Sequence, residues 1–145
     1  MRDASRWARG TIAPMEASAR RNYTLDEARA LLPLIRGVLL QVAVERHGYA
    51  AAHDELHRQL AGSGRDPDAM ATAQEERTAG YRERIASLVG HLEDLGIEVR
   101  DLEAGLVDIP TILGDGPAWF CWRLEDPQLG FWHTTREGFA SRRPL

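Results

Sequence analysis

The sequence predicts an α+β fold: a long antiparallel helical hairpin packed on a small three-stranded antiparallel sheet. Two observations carry this prediction. Apolar residues recur at three- and four-residue spacing from Ala28 to Leu95, the period of a buried helix face. After Gly96 the period changes to two and the composition shifts toward Val, Ile, Phe and Trp, as strands require. Helices followed by strands, rather than alternating with them, indicate α+β and not α/β.

The first helix is expected over about 24–61. Thr24-Leu25-Asp26-Glu27 is a capping box, in which the threonine hydroxyl accepts from the Glu27 N–H and the Glu27 carboxylate reaches back. Ala28, Leu31, Ile35, Val38, Val42, Tyr49, Ala52 and Leu56 then mark one face. Pro33 lies too deep for a first-turn proline, so it should kink or delay the helix. Gly62-Ser63-Gly64-Arg65-Asp66-Pro67 ends it, and a second helix follows over about 68–95, stopped by Gly96. So short a connection makes the two helices antiparallel neighbours. Around a turn near residue 65, Tyr49 meets Tyr81, and Glu45 lies near Arg84 and Ile85.

Ile97–Arg100 is a short alternating segment, and Leu106–Leu113, Ala118–Leu124 and Leu129–Thr135 read as three strands. Gly114-Asp115-Gly116-Pro117 and Glu125-Asp126-Pro127-Gln128 are the turns between them. Residues 136–145 end on Phe139 and Leu145, which suggests a tail docked on the domain. The domain is therefore expected over 23–145, with the hairpin at 24–95 and the β region at 97–135. Residues 1–22 carry a net charge of +3 and no periodicity, which predicts a disordered N-terminal extension.

Composition narrows the function. A net charge of −4 argues against a general nucleic-acid binder, and no apolar run reaches the roughly 20 residues of a membrane span. All 18 basic residues are arginine, and the single cysteine excludes a disulfide framework. There is no Walker loop, no His-Glu-x-x-His and no Gly-x-Ser-x-Gly. A cytoplasmic domain is the expectation, and a two-helix, three-strand unit leaves an apolar stripe that a homodimer through the helices would cover.

Residues able to do chemistry concentrate in the last forty positions, where Asp108, Cys121, Arg123, His133, Glu137 and Arg142 interleave with Trp119, Trp122, Phe131 and Trp132. Two carboxylates and one imidazole, Asp108, Glu137 and His133, suit a divalent metal such as Fe, Mn or Zn. They equally suit general acid/base work on a small molecule. Trp122 and Phe131 would wall this site, and Arg123 or Arg142 would orient an anion. Register governs the arrangement. Pairing Leu124 with Leu129 sets Phe120 opposite His133 and Trp122 opposite Phe131. An Asp115-Gly116 hairpin sets Asp108 opposite Arg123, whereas a Gly114–Gly116 loop sets Asp108 on the His133 face. Cys121, between Phe120 and Trp122, reads as a small hydrophobe.

A rival cluster lies on the hairpin, where Glu45, Tyr49, His53 and His57 line one stripe and the two histidines have an i, i+4 metal spacing. In a different class of function altogether, the hairpin serves as a non-catalytic dimeric interaction module and the C-terminal polar residues only knit the fold.

Three segments together resemble one family. They are Tyr23-Thr24-Leu25-Asp26-Glu27-Ala28-Arg29-Ala30-Leu31-Leu32-Pro33, Gly105-Leu106-Val107-Asp108-Ile109-Pro110, and a C-terminal block. That block runs from Cys121-Trp122-Arg123-Leu124 through Gly130-Phe131-Trp132-His133 to Glu137-Gly138-Phe139-Ala140-Ser141-Arg142-Arg143-Pro144-Leu145. The chain resembles the prokaryotic DUF2203 family over about residues 23–145. The resemblance implies no activity, but it directs attention to Asp108, Cys121, Trp122, His133, Glu137, Gly138, Phe139 and Arg142 rather than to the helical histidines.

Overall fold

The computed structural model describes residues 21–145. Most of the segment expected to be a disordered extension, residues 1–20, lies outside the described residues. Helix α1 spans Leu25–Leu60 and opens on the expected capping box, with both reciprocal bonds between Thr24 and Glu27 formed. The helix continues unbroken through Pro33, so the proline does not delay it. Gly62 and Gly64, both with positive φ, turn the chain into helix α2, Pro67–Asp94, whose first residue is a proline at a position that needs no N–H. Glu45 Oε2 accepts from Arg84 Nε at 2.9 Å, the expected pairing across the hairpin.

The sheet has five strands, not three: β1 Glu98–Asp101, β2 Leu106–Leu113, β3 Gly116–Arg123, β4 Phe131–Thr134 and β5 Arg143–Pro144. They form an antiparallel meander in chain order. The two additional strands are short edges, of four and two residues. β1 is the alternating segment after Gly96 and pairs Glu98 with Asp108, and β5 is the docked tail, pairing Pro144 with Phe131.

Both central registers differ from the expected ones: β3–β4 by one residue, and β2–β3 by two from the Asp115-Gly116 hairpin and by one from the Gly114–Gly116 loop. In the β2–β3 hairpin the two turn residues are Gly114 and Asp115, with Leu113 opposite Gly116. Gly114 takes φ +60°, the left-handed value a two-residue turn demands of its first position. Asp108 consequently lies opposite Cys121, and Arg123 lies opposite Leu106. In the next hairpin Trp119 lies opposite His133 and Cys121 opposite Phe131. The ladder stops there because Asp126 draws the loop inward. Its carboxylate accepts from the Arg123 N–H at 3.1 Å, its carbonyl accepts from Trp122 Nε1 at 3.2 Å, and Leu129 is fully buried.

These registers sort the side chains. Val107, Ile109, Phe120 and Trp122 face the hairpin and meet Ala28, Ile35, Leu39 and Leu92 in the core. Tyr23 ties the helix entrance to the sheet, its N–H bonding the Pro110 carbonyl at 2.8 Å and its hydroxyl the Leu95 carbonyl at 2.6 Å. The opposite face, which the helices leave free, carries Asp108, Trp119, Cys121, Phe131 and His133. The C-terminal tail passes along this face, with Arg142 lying 4.0 Å from the Phe131 ring centroid.

Candidate metal centre

Three central strands each supply one residue to a buried group on the free face: Asp108 from β2, Cys121 from β3 and His133 from β4. One ligand atom from each lies within 4.8 Å of the others, and this is the only such group of potential ligands among the described residues. All three residues are buried, His133 at 1% exposure and Asp108 at 3%.

Hydrogen bonding sets the orientation of the imidazole. His133 Nδ1 lies 2.8 Å from the Thr134 carbonyl, which can only accept, so Nδ1 carries a proton. Nε2 then points at Asp108 Oδ1 across 3.0 Å. In the neutral ring Nε2 is a bare lone pair facing a carboxylate oxygen, so the gap needs a positive centre, a proton or a metal ion. A histidine whose other nitrogen is tied to a backbone carbonyl is the usual arrangement of a metal ligand. The second Asp108 oxygen accepts from Arg100 Nε at 2.8 Å, while Arg100 also meets Glu98 at 2.7 Å and lies 5.2 Å from the Trp119 ring centroid.

Burial, and next the charge of Asp108, push the Cys121 thiol up to about 12. Arg142 beside it pulls the other way without outweighing them, so Cys121 is a thiol and not a resting nucleophile. A second polar cluster adjoins it through Arg142, which neighbours Cys121 as well as Asp126. Arg142 places Nη1 and Nη2 on the two oxygens of Asp126, at 2.7 and 3.3 Å. Burial alone would raise the Asp126 carboxyl, but the hydrogen bonds from Arg142 and the Arg123 backbone outweigh it and hold the group below the usual range. The same bond to Asp126 raises Arg142.

The residues expected to form one site are thus divided. Asp108 and His133 meet. Glu137 is nearby but engaged elsewhere, accepting from the Thr134 N–H at 3.2 Å and from Arg143 at 2.7 Å, and the Thr134 bond chiefly holds its carboxyl low. Trp122 cannot wall the site. The one-residue change of register places it on the core face, where Arg36 lies 5.0 Å from its ring centroid. Phe131 stays on the free face, whereas Arg123 and Arg142 hold Asp126 rather than an external anion. On the hairpin, His53 stacks on Tyr49 with ring centroids 6.4 Å apart and neighbours Asp54 at 3.5 Å, and no potential ligand group includes it.

Arg100 and Asp126 are residues sequence reasoning did not place at a site, and Cys121 it read as a small hydrophobe rather than a ligand. Alternation along β3 sets Cys121 on the face opposite Phe120 and Trp122, and the observed registers bring Asp108 and His133 to that face. A cleft of about 380 Å³ opens beside the group, lined by Arg100, Leu106, Asp108, Arg136, Glu137 and Phe139 among others.

A helical hairpin covering one face of a meander, with a buried Asp–Cys–His group on the other, defines the class of protein. The chain belongs to the DUF2203 family, described as an uncharacterized conserved protein, whose family model matches residues 21–145. No curated protein and no solved structure matches the chain.

Proposed function

We propose that this protein binds a divalent transition metal through Asp108, Cys121 and His133. The observation that carries the reading is the buried convergence of Asp108, Cys121 and His133, with ligand atoms within 4.8 Å of one another and His133 Nε2 facing Asp108 Oδ1 while Nδ1 is committed to Thr134. Ligand atoms within 4.8 Å of one another suit a tetrahedral ion, whose bonds of about 2.0–2.3 Å set donors roughly 3.3–3.8 Å apart. A thiolate, an imidazole and a carboxylate together favour zinc over manganese or magnesium. Three protein ligands leave a fourth position, the pattern of a centre that handles a small molecule rather than one that only braces the fold. Asp108 lines the cleft and gives the ion its route to solvent. A reducing cytoplasmic setting suits a site that needs Cys121 as a free thiol.

Elemental analysis of the purified protein, and of chelator-stripped protein returned to zinc, tests this. One zinc per chain is expected, with stoichiometry lost in Cys121→Ser and in Asp108→Asn. A folded protein that takes up no zinc overturns the reading.

A second reading, compatible with the first, is a homodimer through α1. Leu34, Leu40 and Val44 are 52%, 52% and 68% exposed along one stripe of that helix, and Gly37 between them leaves open space. In an antiparallel pair of α1 helices with the backbones closest at Gly37, Leu34 would meet Leu40 of a second copy. Molar mass by light scattering tests it. A dimer that becomes monomeric in Leu40→Glu supports the pairing, and a monomeric wild-type protein excludes it.

A further inference from the structure

We infer that the cleft beside Asp108 takes a small carboxylate, held at one end by Arg136 and reaching with the other toward the fourth position of the metal. This rests on the metal reading above and names the ligand class of the same site. The inference comes from the charges that line the cleft. Arg100 is committed, with Nε on Asp108 and Nη1 on Glu98. Glu137 is committed as well, to the Thr134 N–H and to Arg143. Asp108 is divided between His133 and Arg100. Arg136 lines the same cleft, is exposed to solvent, and has no carboxylate within ion-pair distance among the described residues.

A zinc ion bound by one carboxylate, one thiolate and one neutral imidazole is electrically neutral as a group. The cleft lining is then left with one unbalanced positive charge, that of Arg136. Its planar fork matches a carboxylate, and a metal with an open position takes oxygen donors. Leu106 and Phe139 supply an apolar flank that suits a short hydrocarbon body between the two ends. A volume of about 380 Å³ lies at the small end of ligand pockets, which sets the size of the molecule.

The test uses the full chain with cobalt(II) in place of zinc, because cobalt reports its own coordination in its visible spectrum. Malonate is the probe and acetate the comparison, at constant ionic strength. Malonate is expected to change the cobalt spectrum saturably and to bind more tightly than acetate. Arg136→Gln should keep the cobalt-thiolate absorption while weakening malonate about tenfold or more, the worth of one charge-assisted hydrogen bond. If cobalt binds and malonate leaves the spectrum unchanged, or if Arg136→Gln binds malonate as well as the wild type, the carboxylate inference is overturned while the metal reading stands. If no cobalt-thiolate absorption forms at all, the metal reading falls, and this inference falls with it.

Discussion

Arg142 grips Asp126 with both Nη atoms while its guanidinium lies over two aromatic rings, 4.0 Å from the centroid of Phe131 and 4.3 Å from that of Phe139. This single residue therefore joins the tail to β4 and to the loop that sets the β3–β4 register. Arg142→Ala should destabilise the domain by about 3 kcal/mol, because it leaves a buried carboxylate with only its weaker Arg123 partners. Arg142→Lys should recover little of the loss, since an ammonium reproduces neither the fork nor the stacking. Urea denaturation of the three proteins checks both statements.

Acid should act through the same pair. Asp126 titrates lower in the folded chain than in the unfolded one. Its contribution is therefore complete above the unfolded carboxylate value of about 4 and is lost as pH falls through the lower folded value. Stability measured from pH 6 downward should decline below about pH 4. In Asp126→Asn that part of the decline should be absent, on top of a lower stability at neutral pH.

Zinc should stabilise the fold through its ligands. An ion that binds only the native state adds about 2.7 kcal/mol at a hundred times its dissociation constant. Denaturation with zinc and with chelator should differ by an amount of this order in the wild type, and by almost nothing in Cys121→Ser. Equal stability in both buffers for the wild type would contradict the proposed centre.

Gly105 provides a test of the sheet edge. It has φ +63°, and an added Cβ would lie 2.6 Å from Leu124 Cδ1. Gly105→Ala should cost about 1–3 kcal/mol, part from backbone conformation and part from the clash. Leu124→Ala in the same chain should relieve the clash alone, so a double-mutant cycle by thermal unfolding should show a coupling between the two sites.

Local signals made much of this fold legible. The capping box at Thr24, the glycine turn at 62–64 and the facing of Glu45 and Arg84 all follow from patterns a few residues long, and all are present. Register was not legible, because it depends on single choices that sequence leaves balanced. Gly114 rather than Gly116 takes the left-handed turn position, and Asp126 folds inward instead of capping a four-residue turn. Those two choices decide that His133 shares a face with Cys121 and not with Phe120. Asp108 and His133 stand out as an acid and an imidazole in a run of apolar residues. Cys121 did not, since a thiol flanked by Phe120 and Trp122 looks like one more core residue until the face it occupies is known.

Helix α1 has 36 residues, about 54 Å of helix, against the eight residues and roughly 27 Å of β2. Its buried residues, Ala28, Ile35, Leu39 and Val42, all lie in the half nearest the sheet. The distal half is held by helix-to-helix contacts alone, so its amides should exchange with deuterium well before those of the base. Opening would start at Gly62 and peel back toward Gly48 with every ligand of the proposed centre still in place. The molecule is thus built with a firm foot and a yielding tip, and whatever grasps the tip could order or unwind it without disturbing the sheet.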